Sequence, residues 1–425
     1  MNTSRTIQKD NPQTIKAWTF YDWANSVYPL IISSAIFPIF YERKTQTELG
    51  GVVKFMGMEF INTAFYSYVV ALSYIIVAVA SPLLSGVADY SGDKKRFLRI
   101  FCFLGGISSM ALTFFDTSYI GLSMLALLLA SVGYWGSLVF YNAYLPEIAS
   151  EEKQDKVSAK GFAMGYLGSS ILLILILVLN KMANFPIKYA FLLVGIWWLG
   201  FAQYTLIRMP KGLASTNYID SPFSKGFKEL LKVFTEIKGM IRLKRFLYSY
   251  FFYNMGVQTV MIMAVPFAAK EIKGLKDSDL IVSILLIQFL GIAGSFLMSR
   301  LSAVIGNLKT LTFVIFLWVL ICVLVYFFVY TPLSFYFTAA SVGLVMGGIQ
   351  ALSRSTYSKF LPETQDNTSF FSFYDVSEKI GLAIGTVTFG FIEEATGGIR
   401  NSVLALISFF VIGFIALVFV PKERK

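Results

Sequence analysis

The sequence predicts an all-α polytopic membrane protein, with about twelve transmembrane helices in two pseudo-symmetric six-helix bundles. Three observations carry that prediction. Of 425 residues, 56% are hydrophobic and only 14% charged, where a soluble domain has about 25% charged; the mean hydropathy of +0.66 is too high for one buried core. Apolar runs approaching or exceeding the roughly 20 residues needed to cross the hydrocarbon recur along the whole chain. One long polar segment, 210–245, divides those runs six and six.

Residues 1–17 are polar and lack a small-residue cleavage site, so they read as a retained N-terminal segment rather than a signal peptide. The bundle at 18–209 is expected to hold runs at 18–41, 61–88, 97–115, 120–142, 159–180 and 187–209. The bundle at 246–420 is expected to hold 246–270, 279–303, 309–330, 333–357, 368–393 and 400–420, followed by a tail at 421–425. If the N-terminus is inside, the inner segments carry most of the 36 Lys and Arg. The positive-inside rule then puts both termini in the cytoplasm of a cell's inner (plasma) membrane. In the linker, Phe227, Leu230, Leu231, Phe234, Ile237 and Ile241 recur at helical spacing opposite Lys225, Lys228, Lys232 and Lys238. Such a pattern predicts an amphipathic helix on the anionic inner leaflet.

The formal charge of +11 and pI near 9.3 do not imply nucleic acid, because the basic residues sit in short loops and form no continuous face. There is no histidine, and the two cysteines, Cys102 and Cys322, lie far apart in apolar stretches, which argues against metal sites, histidine bases and a disulfide framework. No phosphate-binding G-x-x-x-x-G-K-[ST] loop is present, so ATP is not the expected energy source. A membrane-embedded transferase would need an acid, base or metal motif, and none of H-E-x-x-H, G-x-S-x-G or a paired-aspartate motif occurs. Neither an enzyme nor a cofactor is expected.

The halves are distantly related. FYDWANSV at 20–27 aligns with FYNMGVQT at 252–259, setting Asp22 over Asn254, and Leu145-Pro146-Glu147 matches Leu361-Pro362-Glu363 at a similar offset. Two related six-helix units joined by a loop suit a transporter whose halves rock about a central site. The loop SGVADYSGDKKR, 85–96, resembles the major facilitator signature G-x-x-x-D-R-x-G-R-K through Asp89, Gly92 and Lys94, with Ser85, Tyr90 and Asp93 departing from it. Gly92 supplies the turn, and Asp89 can face the N-terminal dipole of a neighbouring helix, so Asp89, Gly92 and Lys94 are read as a cytoplasmic gate. The second half has Ala303 where the aspartate would stand, so the gate is expected to be asymmetric.

Five segments in order, AWTFYDWANSVY (17–28), SPLLSGVADYSGDKKR (81–96), YNAYLPEIA (141–149), GGIQALSRSTYSKFLPE (347–363) and SFFSFYDVSEKIG (369–381), resemble the "unknown major facilitator" family, related to autophagy-linked vacuolar effluxer permeases. That resemblance implies the major facilitator fold, with a monomer as the superfamily default. Among the relatives, fungal members are associated with amino-acid export from the vacuole.

Polar residues then mark a site. Asp22, Asn25, Ser26, Pro29 and Ser33 form one stripe on the first helix, which must face a cavity or partner rather than lipid. Pro29 frees a carbonyl near Asn25. Asp375, Glu378, Lys379, Leu382 and Thr386 form a second stripe, with Lys379 near mid-membrane. Asp22 and Asp375 are the expected ion-coupling groups, for H+ or Na+. Asn25, Tyr141, Asn142, Asn254, Gln258, Gln350, Arg354 and Lys379 are the expected binding groups for a small zwitterionic or anionic, amino-acid-like solute moved by alternating access. In the alternative, these groups satisfy one another and Arg354 snorkels to the interface. Rival functions are an exporter of lipophilic compounds or drugs, a sugar or muropeptide permease, and a non-transporting receptor.

Overall fold

The computed structural model describes residues 8–211 and 222–421. Among them eleven helices are long and apolar enough to span a membrane. In chain order these are Pro12–Leu49, Asn62–Ser91, Lys94–Phe114, Ile120–Ile148, Glu151–Ala183, Tyr189–Arg208, Ile241–Glu271, Asp279–Ile305, Asn307–Phe328 and Pro332–Lys359, with Ile399–Val418 after a further helix. That further helix, Asn367–Thr396, is equally long but carries Asp375, Glu378, Lys379, Glu393 and Glu394. We count it as the eleventh span and Ile399–Val418 as the twelfth.

The first helix starts at Pro12, six residues before the apolar run, because the Asn11 side chain caps it by accepting the N–H groups of Gln13 and Thr14. It is not uniform. Pro29 has no N–H for the carbonyl of Asn25, and Tyr28–Ala35 takes a π-helical register before an α-helix resumes at Phe37. After it, Val52–Phe55 and Met58–Ile61 pair as an antiparallel hairpin. Its two-residue turn has positive φ at Met56 (51°) and Gly57 (79°), the geometry of a type I′ connection.

One apolar core is built between Ala17 and Met209, and a second mainly between Val233 and Val420. The linker helix, Pro222–Gly239, packs on the second and eleventh spans: Val233 and Ile237 are buried, Phe234 stacks on Phe373 (5.9 Å) and Lys232 pairs with Asp366 (2.9 Å). Phe227 and Leu231, from the expected apolar stripe, stay exposed. The side chains of Lys225 and Leu230 lie outside the described residues.

The halves are tied together on the side carrying the linker. Asp89, in the last turn of the second span, accepts the N–H groups of Thr368 (3.2 Å) and Ser369 (2.7 Å) at the start of the eleventh. Gly92 closes the second span in the left-handed region (φ 64°), where a Cβ would be strained. Lys94 pairs with Glu147, whose carboxylate also accepts from Asn367 (3.0 Å). A second tie uses Asp155 of the fifth span, which accepts from Asn307 (2.7 Å), Ser302 (2.9 Å) and Lys359 (2.8 Å). The second tie therefore takes its carboxylate from the N-terminal half, and the loop with Ala303 contributes Ser302 and Asn307 as donors.

Candidate functional site

Between the halves lies a cavity of about 230 Å³, lined by groups from both. Its charged wall residues are Asp22 of the first span, Arg354 of the tenth and Glu378 of the eleventh. Asn142, Asn254, Gln258 and Gln350 add amides, and Tyr134, Tyr166, Tyr250, Tyr253 and Tyr374 add phenols.

Arg354 does not snorkel. It is 3% exposed, bonds Asp22 across the halves at 3.3 Å, and gives further hydrogen bonds to the Ser158 hydroxyl and carbonyl (3.0 Å each) and to Asn142 (3.3 Å). Its guanidinium lies against the Trp18 and Phe162 rings, 4.7 and 4.2 Å from their centroids. Asp22 also accepts the Tyr141 hydroxyl at 2.7 Å. Gly161 lets this pair form, since a Cβ there would collide with the Asp22 carboxylate.

The eleventh span is arranged differently from expectation. Lys379 is almost wholly buried, but it lies behind the cavity wall: its ammonium is 3.0 Å from Asp375 and 3.9 Å from Glu378, and sits 3.6 Å from the Trp135 ring centroid. The expectation that Lys379 faces the solute is corrected, because the carboxylate one turn earlier holds the ammonium away. Asp375 is likewise off the wall. Glu378, on the expected stripe but not among the expected ligands, takes their place and accepts from Gln258 (2.8 Å) and Tyr250 (3.4 Å).

Of the other expected groups, Asn142, Asn254, Gln258 and Gln350 reach the wall, and Gln350 accepts the Tyr166 hydroxyl (2.5 Å) across the halves. Asn25 is buried beside Ser26, and Tyr141 is buried under Trp18 (4.5 Å, stacked); neither lines the cavity. Ser158, Phe162 and Tyr166 were missed. They lie on the fifth span, where the nearby charges Asp155, Lys156 and Lys160 did not single them out, whereas the i, i+3 relation of Asp375 to Glu378 was a usable signal.

A polytopic all-α protein with two apolar cores and a polar, charged cavity between them has the architecture of a major facilitator transporter. Comparison with known proteins agrees and narrows it. Residues 10–425 match the family model described as "Vacuole effluxer Atg22 like", and the chain belongs to that family. The MFS-type transporter YxiO of Bacillus subtilis (strain 168) is 32% identical over 422 residues, covering 96% of this chain and 95% of the relative. Autophagy-related protein 22 of Yarrowia lipolytica is 23% identical, covering 88% of this chain and 78% of its own. Among solved structures, the transporter FucP in its outward conformation superposes with TM-score 0.69 at 16% identity (97% of this chain, 99% of that one). The human organic anion transporter MFSD10 gives 0.72 at 12% identity (96% and 100%), a likeness that shows the fold alone.

Proposed function

We propose that this chain is a secondary active transporter that moves a small zwitterionic or anionic, amino-acid-like solute by alternating access. The observation that carries the reading is the Asp22–Arg354 pair, contributed by opposite halves and lining the cavity. A solute carboxylate can take over Arg354, which frees Asp22 to bind a cation or proton, and the exchange changes what holds the halves together. At about 230 Å³ the cavity falls below the roughly 300–1,000 Å³ of drug-sized sites, which favours a small solute.

In this reading the chain sits in the plasma membrane as a monomer, with the linker side and both termini cytoplasmic. The ties at Asp89 and Asp155 then hold the cytoplasmic gate shut, leaving the site accessible from outside. Sequence kinship to Atg22-like effluxers supports amino acids as the first solutes to try. A second reading, export of lipophilic compounds, is favoured by a wholly apolar pocket of about 80 Å³ whose lining shares Val260, Ala264, Ile287 and Val342 with the cavity.

Thermal shift of the purified protein against amino acids, peptides, organic acids, sugars and lipophilic drugs separates these readings, since a ligand at 100 times its Kd stabilises by about 2.7 kcal/mol. Hits among amino acids or anions that vanish in Arg354→Gln, and that drive counterflow in vesicles, support the proposal. Hits confined to lipophiles and indifferent to Arg354 replace it with the second reading.

A further inference from the structure

Among the described residues, the charges on and just behind the cavity wall do not cancel. Two are cations, Arg354 and Lys379, and three are carboxylates, Asp22, Asp375 and Glu378. Arg354 is taken by Asp22 (3.3 Å) and Lys379 by Asp375 (3.0 Å), whereas Glu378 approaches only the lysine already shared, at 3.9 Å. The Trp135 ring, 3.6 Å away, occupies another side of that ammonium.

The other groups facing Glu378 carry no positive charge. On the seventh span these are Tyr250 and Gln258, on its own helix Tyr374, on the fourth span Tyr134 and on the second Tyr74. Phenols and an amide donate hydrogen bonds but do not neutralise a carboxylate, and an uncompensated carboxylate at membrane depth costs at least about 2.5 kcal/mol. Glu378 keeps 15% side-chain exposure on the cavity wall, so a proton or a cation taken from the cavity can neutralise it. Glu378 lines the cavity, so it can exchange with the cavity's contents, whereas Asp375 cannot.

A second observation lies one step away. Gln258 donates to Glu378 (2.8 Å) and to the Asn254 carbonyl (3.5 Å), and Asn254, 6% exposed and on the cavity wall, has an amide N–H2 with no protein partner among the described residues. The chain Glu378–Gln258–Asn254 thus ends in an unpartnered, buried donor at the cavity wall.

We propose that Glu378 is the proton-carrying group of this transporter, that Lys379 and Asp375 form a fixed ion pair behind it, and that Gln258 and Asn254 relay its state to the cavity. The proton comes from cavity water and adds to one carboxylate oxygen, with no other bond made or broken. Ionised Glu378 accepts from Gln258 and leaves Asn254 offering a donor, suited to a solute carboxylate. Once protonated, Glu378 donates to the Gln258 carbonyl, both amides turn over, and Asn254 offers an acceptor instead. This deepens the proposed function and rests on it only for the role in transport; the charge imbalance stands without it.

The test is acid-minus-alkaline infrared difference spectroscopy of the full chain in lipid vesicles, reading the C=O band of a protonated carboxyl. The expected result is a titrating band in the parent and in Asp22→Asn, lost in Glu378→Gln and kept at a shifted frequency in Glu378→Asp, which also serves if the glutamine variant does not fold. Asp375→Asn is expected to weaken or abolish the band, because Lys379 becomes free to pair with Glu378. A carboxyl spectrum that is the same in the parent and in Glu378→Gln, or a Glu378-dependent band that disappears in Asp22→Asn, overturns the assignment. So does a sodium-dependent thermal shift lost in Glu378→Gln with no Glu378-dependent carboxyl band at any pH, which makes the site one for a metal cation. Counterflow absent with the band intact rejects the transporter reading alone, and counterflow intact with no band rejects the proton site alone.

Discussion

Two buried ion pairs meet near the cavity, and they are built in opposite ways. Asp22 and Arg354 come from the first and tenth spans, one from each half, and face the cavity. Asp375 and Lys379 stand one turn apart on a single helix, behind the wall. The first pair can be broken by moving the halves or by a competing solute. The second travels as a unit with its helix. In the proposed transport cycle the same chemistry is a movable contact in one place and fixed scaffolding in the other, and burial alone does not distinguish them.

The strongest way to break this contrast is Lys379→Ala. Removing one member of a buried pair leaves Asp375 and Glu378 uncompensated, and a loss of about 3–5 kcal/mol is expected, read as a lower melting temperature and poor yield of folded protein. Unchanged stability would mean that the pair within the helix is not scaffolding. Arg354→Gln should spare the fold more, because Asp22 keeps the Tyr141 hydroxyl and borders the cavity, while costing about 2–5 kcal/mol in affinity for an anionic or zwitterionic ligand. Arg354→Lys should not restore binding, since an ammonium cannot reproduce the forked contacts to Asp22 and Ser158; full rescue would argue for a simple point charge.

A smaller effect is expected at the ties that hold the halves. Asp89→Asn removes a charge from the N-terminus of the eleventh span, worth about 0.3–1 kcal/mol and up to about 2 when partly buried. At about 1.4 kcal/mol per factor of ten, labelling of a cysteine placed beneath the tie should rise up to roughly 25-fold from the linker side. Cys102 and Cys322 are both buried, so such a reporter reads cleanly, and equal labelling in both proteins would show that Asp89 does not hold the gate.

The smallest concerns Asp10, outside the spans, where the Ser150 backbone N–H holds the carboxyl below its usual value. A depressed carboxylate stabilises above its unfolded pKa of about 3.8, and that contribution is lost as pH falls through the lowered folded value. Asp10→Asn should thus narrow the stability difference between neutral and strongly acidic pH, and an identical acid profile would remove Asp10 from the account.

Much of this architecture was legible in the sequence because membrane spans obey a length and a composition, and a charge inside a span must be placed somewhere other than lipid. The polar stripe of Asp22 and the motif around Asp89 could be read for the same reason. The π-helical stretch after Pro29 and the hairpin at Val52–Ile61 could not, since both depend on local register rather than hydropathy.

The sequence by itself determined the class of fold, which charges fall within the spans and the excess of acid over base on the eleventh span, because these follow from residue type and from 1.5 Å of rise per residue. Only the tertiary structure decided which charge meets which. A helix offers Lys379 both Asp375 and Glu378 at allowed spacing, but packing of the eleventh span against Trp135 and the seventh span turns Lys379 inward and Glu378 to the cavity. Likewise, nothing in either segment alone sets Asp22 opposite Arg354. Close approach at Gly161 and the packing of the two halves bring them together.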